Sequence, residues 1–407
     1  MTKKPVSLCH GMSVQPEIQP EITSSSDEHR WVIRMNSVPM PFPRPCSYVI
    51  TGATSGLGEQ LVRKLIERRQ DARITLGVRN VELARSQVDA LAEEFPDADV
   101  HGRVTIGPRL DLGDAASVAA FAQSIEGSAE PLHVLVNNAG TNQSTPAGAS
   151  DARDFPEIIS VNYLGPFLLT LLLEDKLKRG AGGAELPSRV INVSSVTHRF
   201  STLEEGILDA ANETVIDMFM RTGKKARAAG NKDDARSSAS TAIPRLYADT
   251  KLGNALFTEW LNGRWEGTRL RAMSVDPGGV VTGIWRNSRW EGSRVMSWLF
   301  APASDGSEAL YDCCVDPLHD DDAPEQANLY ARGAFRSPLL GWYPPRSTRL
   351  GLVAGLVAAV DWPLRRLSGG RVANTTGRVV ASEACYHPET IARLGDATEE
   401  FVRGQLR

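Results

Sequence analysis

Short apolar runs and longer segments with helically spaced apolar residues alternate along this chain from about residue 46 to about residue 282. The runs are Tyr48-Val49-Ile50-Thr51, Arg73-Ile74-Thr75-Leu76-Gly77-Val78, a third ending at Leu110-Asp111-Leu112, Leu132-His133-Val134-Leu135-Val136, Arg189 to Ser195, and Leu270 to Asp276. Their continuous apolar character predicts strands covered on both faces. Between them, Leu57, Leu61, Val62, Leu65 and Ile66 form one helical stripe. Val81 to Phe95 predicts a second helix with Leu83 and Leu91 inward, and Val118, Phe121, Ala122 and Ile125 mark a third. A longer helix is predicted over roughly 154–175, with Pro166 imposing a kink or an early boundary, and another follows Lys251. Strands and helices alternating at these lengths predict an α/β fold, a doubly wound parallel sheet with helices on both faces.

Three regions depart from that alternation. Residues 1–45 are rich in Pro, Ser and charge, with Pro39, Pro41, Pro43 and Pro45 leading into the first strand, and read as an extended, partly disordered arm. A polar insertion occupies about 200–244, including Arg221 to Arg227 and Asp233 to Ser238. An extension runs from about 283 to 400, with Trp285, Trp290 and Trp298 suited either to an apolar substrate lid or to ordinary packing. Within it Leu350 to Val360 is uninterrupted apolar sequence, broken by Asp361 and Pro363 and followed by Arg365-Arg366. It falls short of the ~20 residues a spanning helix needs. A buried helix is the first reading; the alternative is a helix lying on a membrane surface, with contact through 350–367.

Composition narrows the class. The 407 residues are 42% hydrophobic and 23% charged, an ordinary globular balance with ample length for a core. A net charge of −4 without a basic block argues against nucleic acid as partner. Five cysteines, odd in number and without ligand spacing, predict reduced thiols in a cytosolic compartment and no metal site. The lysines at the start precede no long apolar stretch, so no secretory signal is expected and a cytoplasmic location is.

The candidate chemistry lies where predicted strands end. Thr51-Gly52-Ala53-Thr54-Ser55-Gly56-Leu57-Gly58 joins a strand to a helix, the context in which glycines let a backbone approach a pyrophosphate at a helix N-terminus. Arg79 and Asn80 end the second strand; with no carboxylate there, Arg79 suits the 2′-phosphate of NADP(H) and favours it over NAD(H). Ser194 and Ser195 end the fifth. Tyr247 and Lys251 stand four apart on a predicted helix and share a face, so the ammonium could lower the phenol's pKa.

Taken in order, these landmarks resemble the short-chain dehydrogenases/reductases in their single-domain, Rossmann-type form over about 46–282. The resemblance rests on the glycine turn, Asn137-Asn138-Ala139-Gly140, Val161-Asn162 with Gly165-Pro166-Phe167, Ser194-Ser195, Tyr247-Ala248-Asp249-Thr250-Lys251 and Pro277-Gly278 with Thr282. It implies a catalytic set of Asn162, Ser195, Tyr247 and Lys251. It implies cofactor contacts at Gly52, Thr54, Ser55, Gly56, Leu57, Gly58, Arg79, Asn80, Asp111, Leu112, Asn138, Ala139, Gly140, Tyr247, Lys251, Pro277, Gly278, Val280 and Thr282. Val78-Arg79-Asn80, Leu110 to Asp114, Val193 to His198 and Tyr247 to Asn254 are similar to the retinol dehydrogenase-like and ketosteroid reductase-like branch, which implies NADP(H) and a bulky apolar alcohol or carbonyl substrate. In the family Tyr acts as general acid/base, Lys binds the nicotinamide ribose, Ser orients the carbonyl and Asn holds a relay water. A homodimer through the helices carrying Asn162 and Tyr247 is a further family expectation, which the 200–244 insertion or the tail could block. A different class, a dinucleotide-binding regulator or scaffold without turnover, is disfavoured by the complete set of four. His198, close after Ser195, is expected to be a hydrogen-bonded structural histidine.

Overall fold

The computed structural model describes residues 45–142, 156–182, 187–201, 203–209, 214–220, 245–281, 300–315, 329–332, 376–378 and 381–406. At its centre β1 (Cys46–Thr51) is buried at every position, with β2 (Ala72–Gly77) and β4 (Val134–Asn137) parallel on either side. Beyond them lie β3 (Val104–Ile106), β5 (Ser188–Val193), β6 (Leu270–Asp276), β9 (Leu329–Arg332) and β10 (Thr376–Arg378), in the order β10-β9-β6-β5-β4-β1-β2-β3. All pairs are parallel except β10 against β9 at the edge. A minor parallel pair joins β7 (Val280–Val281) to β8 (Ala301–Pro302). The strand order reverses between β1 and β4, the switch point at whose carboxyl side open α/β sheets bind ligands.

The helices cover both faces. On one face α1 (Gly56–Arg68), α2 (Val81–Glu94) and α7 (Ala303–Val315) enclose a core around Ile50, Leu61, Leu65 and Leu310. On the other, α3 (Ala115–Glu126), α4 (Gly165–Leu172), α5 (Glu174–Ala181), α6 (Arg245–Arg264) and α8 (Pro388–Gly404) enclose Phe121, Tyr163, Phe167, Phe257 and Trp260. Phe167 and Phe257 stack at 4.2 Å, joining α4 to α6.

Several expectations need correcting. The third strand is Val104–Ile106, and Leu110-Asp111-Leu112 belongs to the loop after it. Gly107-Pro108 ends the strand because proline has no N–H for the ladder; beyond Ile106 two bonds carry on, Gly107 N–H to Leu76 O at 3.1 Å and Leu110 N–H to Val78 O at 2.9 Å. In α2 the inward face is Ala84, Val88 and Leu91; Leu83 is exposed, a position away from that stripe. The helix expected over 154–175 divides into Glu157–Ile159, a wide π turn Ser160–Leu164, and α4. Pro166 sits in the first turn of α4, where its missing N–H costs little.

The 200–244 insertion is polar only in part. Residues 203–209 and 215–220 are helical, and Leu203, Ile207, Val215, Met218 and Phe219 are buried in the core, with Phe219 against Tyr163. Residues 221–244, the arm before Pro45, the tryptophans of 283–299 and the run 350–367 lie outside the described residues. In the expected extension, β9 and β10 enlarge the central sheet and α8 packs on α6. Among the described residues no single helix is long and apolar enough to cross a membrane.

Candidate active site

The glycine turn is built by close approach. Gly52 has φ +65 and Gly56 φ +60, values that favour glycine. A Cβ on Gly52 would stand 2.8 Å from Ala139 Cα, and one on Gly58 would stand 2.6 Å from Gly52 O and 2.5 Å from Asn138 Nδ2. The Asn138 amide donates to Thr51 O (2.9 Å) and Gly52 O (3.1 Å), and Thr51 Oγ1 accepts from the N–H of Asn138 and of Ala139 at 3.0 Å each. Asn138 and Ala139 therefore shape the turn from within. Thr54 O accepts from Gln87 (2.8 Å), and Ser55, exposed and extended, caps α1 without a side-chain hydrogen bond to it. The result is a backbone cradle, too tight for side chains, at a helix N-terminus; it fits a pyrophosphate.

Around the cradle the other expected cofactor residues take varied positions. Arg79 is exposed, its guanidinium 3.7 Å from the Glu157 carboxylate. Asn80 serves the local structure, since its side chain caps α2 by accepting from Leu83 N–H at 2.9 Å. Asp111 accepts from Gly113 N–H (3.1 Å) and from Arg109 (2.7 Å), while Leu112 is buried with its carbonyl where a Cβ on Gly165 would collide. Gly278 turns with φ +78, its N–H donating to Asp276 Oδ1 at 2.9 Å. Val280 and Leu57 both stand within 3.1 Å of where a Cβ on Gly306 of α7 would lie, so they meet there. Thr282 lies outside the described residues.

Asn162, Gly140 and Lys251 converge beyond β4 and β5. Asn162, in the π turn and fully buried, accepts from Thr141 N–H (2.7 Å) and donates to Thr141 O (2.8 Å) and Thr250 Oγ1 (3.2 Å). A Cβ on Gly140 would stand 3.3 Å from Asn162 Oδ1 and 3.7 Å from Lys251 Nζ. Lys251, 4% exposed, donates to Val193 O at 2.8 Å, and its Nζ stands 5.4 Å from the centroid of the Tyr247 ring. Ser195 is two residues beyond Val193 and caps the 3-10 helix Val196–Phe200, its Oγ accepting from Thr197 N–H at 3.3 Å.

The electrostatics differ from the simple expectation that Lys251 lowers the phenol's pKa. Burial first, then the Asp276 carboxylate, push the Tyr247 phenol upward. Burial pulls the Lys251 ammonium down to about 8, against the same carboxylate, which raises it. Asp276, fully buried at the end of β6, is thus a charged neighbour of both groups that lies outside the expected set. Its signal is an acidic residue directly before Pro-Gly at a strand end.

What holds α6 against the sheet is a polar row. Asn137, Asn192 and Ser274 face one another in register across β4, β5 and β6. Asn137 donates to Thr170 Oγ1 (3.0 Å) and Asn192 Oδ1 (2.9 Å); Asn192 donates to Thr258 Oγ1 (3.0 Å), which meets Ser274 Oγ at 2.7 Å. Asn254, one turn above Thr258, donates to Val193 O, the oxygen that Lys251 also uses. All are buried, and every group of the row except the Asn137 amide oxygen has a hydrogen-bond partner, which favours one arrangement. Among the described residues no cluster of three or more His, Cys, Asp or Glu could hold a metal ion.

The chain is similar to several known proteins. A family model described as short chain dehydrogenase matches residues 47–228. Retinol dehydrogenase 11 of Homo sapiens is 34% identical over 232 residues, 57% of this chain and 60% of that protein. Polyprenol dehydrogenase of Homo sapiens is 32% identical over 245 residues, covering 60% and 63%. The chain thus spans about three fifths of the length of these curated relatives. Among solved structures, NADPH-bound carbonyl reductase from chicken fatty liver aligns at TM-score 0.47 and 19% identity over 71% of this chain and 97% of its own. Salutaridine reductase from Papaver somniferum aligns at 0.48 and 18% over 70% and 98%.

Proposed function

We propose, for a chain that belongs through residues 47–228 to the short chain dehydrogenase family and its retinol dehydrogenase-like branch, an NADP(H)-dependent oxidoreductase that interconverts an alcohol with an aldehyde or ketone on a bulky apolar substrate. The observation that carries this reading is the convergence of Asn162, Gly140, Lys251 and Tyr247 beyond β4 and β5, beside a glycine cradle no side chain could enter.

The cradle of Gly52, Gly56 and Gly58 would hold the pyrophosphate, with Arg79 as the cation for a 2′-phosphate and Pro277-Gly278 near the nicotinamide end. A bound NADP(H) supplies or accepts the hydride. The chain's own groups handle the proton. A phenol pushed upward stays protonated through neutral pH, the form a proton donor to a developing alkoxide requires. Ser195 orients the carbonyl oxygen. Lys251, held near the pH of the cell by opposing burial and Asp276, can return a proton to Tyr247, and Asn162 fixes the loop of Gly140 and Thr141 beside it. Relatives named retinol and polyprenol dehydrogenase suit a long apolar alcohol or aldehyde as substrate class.

The test is NADPH oxidation with all-trans-retinal as the first carbonyl probe. Tyr247→Phe should lower kcat by about 10²-fold or more while NADPH still binds, the usual weight of a general acid. In parallel, Arg79→Ala should weaken NADPH but not NADH by about tenfold, ~1.4 kcal/mol. Full activity in Tyr247→Phe would refute the proton role, and equal binding of both nucleotides by wild type would refute the NADP(H) preference.

A further inference from the structure

His198 is completely buried three residues after Ser195, and both its ring nitrogens are engaged. Nε2 faces the N–H of Ser382 at 3.2 Å, so it must be the acceptor. In a neutral ring the hydrogen then sits on Nδ1, which donates to Ser195 O. Burial, then the charge of Arg199, hold the ring pKa down at about 3, so this neutral form persists at any physiological pH. The ring is therefore a fixed two-ended connector between the turn after β5 and a segment almost 200 positions later.

That segment also reaches elements beside the other catalytic candidates. Arg199 donates to Ala381 O at 3.5 Å, and the Ala381 N–H donates to Tyr386 Oη at 3.2 Å. His387 Nδ1 meets Glu204 Oε1 at 2.7 Å. In α8, Thr398 Oγ1 lies 3.0 Å from Tyr163 Oη, next in sequence to Asn162. Gly395 lies so close to the Trp260 ring of α6 that a Cβ would approach within 2.1 Å, and Trp260 Nε1 donates to Asp396 at 3.0 Å. One stretch thus touches the neighbours of Asn162, the neighbours of Ser195 and the helix of Tyr247 and Lys251. It lies wholly beyond the family-matched residues.

We infer that Ala381–Gly404 is a clasp completing the active centre, with His198 a positioning residue that holds the Ser195 turn through its bonds to Ser195 O and Ser382 N–H. The inference rests on the role proposed above for Ser195. Fixing the Ser195 carbonyl restrains the peptide that starts the 3-10 helix, and so the direction of the capping Ser195 side chain.

Ser382→Pro tests it by breaking the bond from its Ser382 end. Ser382 has φ −60, the value proline adopts, so the main chain there accepts the ring, whose Cδ takes the place of the N–H and pushes His198 Nε2 out of its 3.2 Å contact. Expected are a fall in kcat with retinal of about tenfold, an unchanged KM and Kd for NADPH, and faster amide exchange over 195–200. His198→Asn, which keeps a donor near the Nδ1 position, should retain more turnover than His198→Ala. Wild-type exchange over 195–200 in Ser382→Pro would overturn the clasp. So would a lowered melting temperature with unchanged kcat, which marks a merely structural tail. Absence of turnover in wild type would sink the oxidoreductase reading instead, and the exchange measurement would still decide the clasp.

Discussion

Gly58→Ala tests the cradle. The backbone at Gly58 is ordinary helical backbone, so the obstacle is space alone. The new Cβ would sit 2.5 Å from Asn138 Nδ2, 2.6 Å from Gly52 O and 3.1 Å from Ala53 Cα. Two of these are main-chain atoms of the turn, and the third is the amide that ties Thr51 O and Gly52 O together. The turn must open or Asn138 must leave. Losing its two hydrogen bonds at ~1 kcal/mol each, with partly unsatisfied groups left behind, costs about 2–4 kcal/mol. Expressed as cofactor affinity, that is roughly 30- to 1000-fold. NADPH fluorescence titration reads it directly, with a melting curve to separate local from global damage. Gly263→Ala in α6 is the control, because nothing stands within 4 Å of its Cβ; it should bind as wild type and gain up to ~1 kcal/mol in stability. A Gly58→Ala protein that titrates as wild type would show that the turn does not form the nucleotide site.

Two further outcomes follow from the packing. Glu308 of α7 is held by Lys64 and by both Arg68 terminal nitrogens (2.8 and 2.9 Å), and these cations outweigh burial to lower its pKa from 4.5 to about 2. Its folded value lies below its unfolded one, so its contribution, ~3 kcal/mol at most, is full above about pH 4.5 and is lost as pH falls toward 2. Glu308→Gln should flatten the slope of stability against pH in that window, and an unchanged slope would count against the clamp. Thr258→Val should cost about 1–3 kcal/mol by stranding the Asn192 amide, and Thr258→Ser should restore most of it in denaturant melts. Equal stability of Thr258→Val and wild type would mean the polar row does not anchor α6.

Local pattern along the chain is enough to specify the doubly wound sheet. Uninterrupted apolar runs can be buried on both faces only between layers of helices, and β1, β5 and β6 appear close to where those runs lie. The same pattern marks the strand ends where Gly52, Asn138 and Ser195 stand, because turn glycines and polar residues after apolar runs leave a local signature. A local rule also misplaces the third strand: Leu110-Asp111-Leu112 is as apolar as a strand, but Gly107-Pro108 before it ends the pairing. It turns Leu83 inward for the same reason, since any single leucine looks like core until the full stripe of Ala84, Val88 and Leu91 is in view. Other features exist only in the assembled molecule. β9 pairs with β6 across about fifty positions, a separation no window detects. The Asn137–Asn192–Ser274 row forms only because register puts three distant polar residues side by side. The pKa shifts of Tyr247 and Lys251 come from burial and from Asp276, not from the four-residue spacing that singles them out. The bond from His198 to Ser382 joins residues that share no pattern. Spacing along a chain reports which face a residue takes; desolvation, register and long-range contact depend on what the fold brings to meet it.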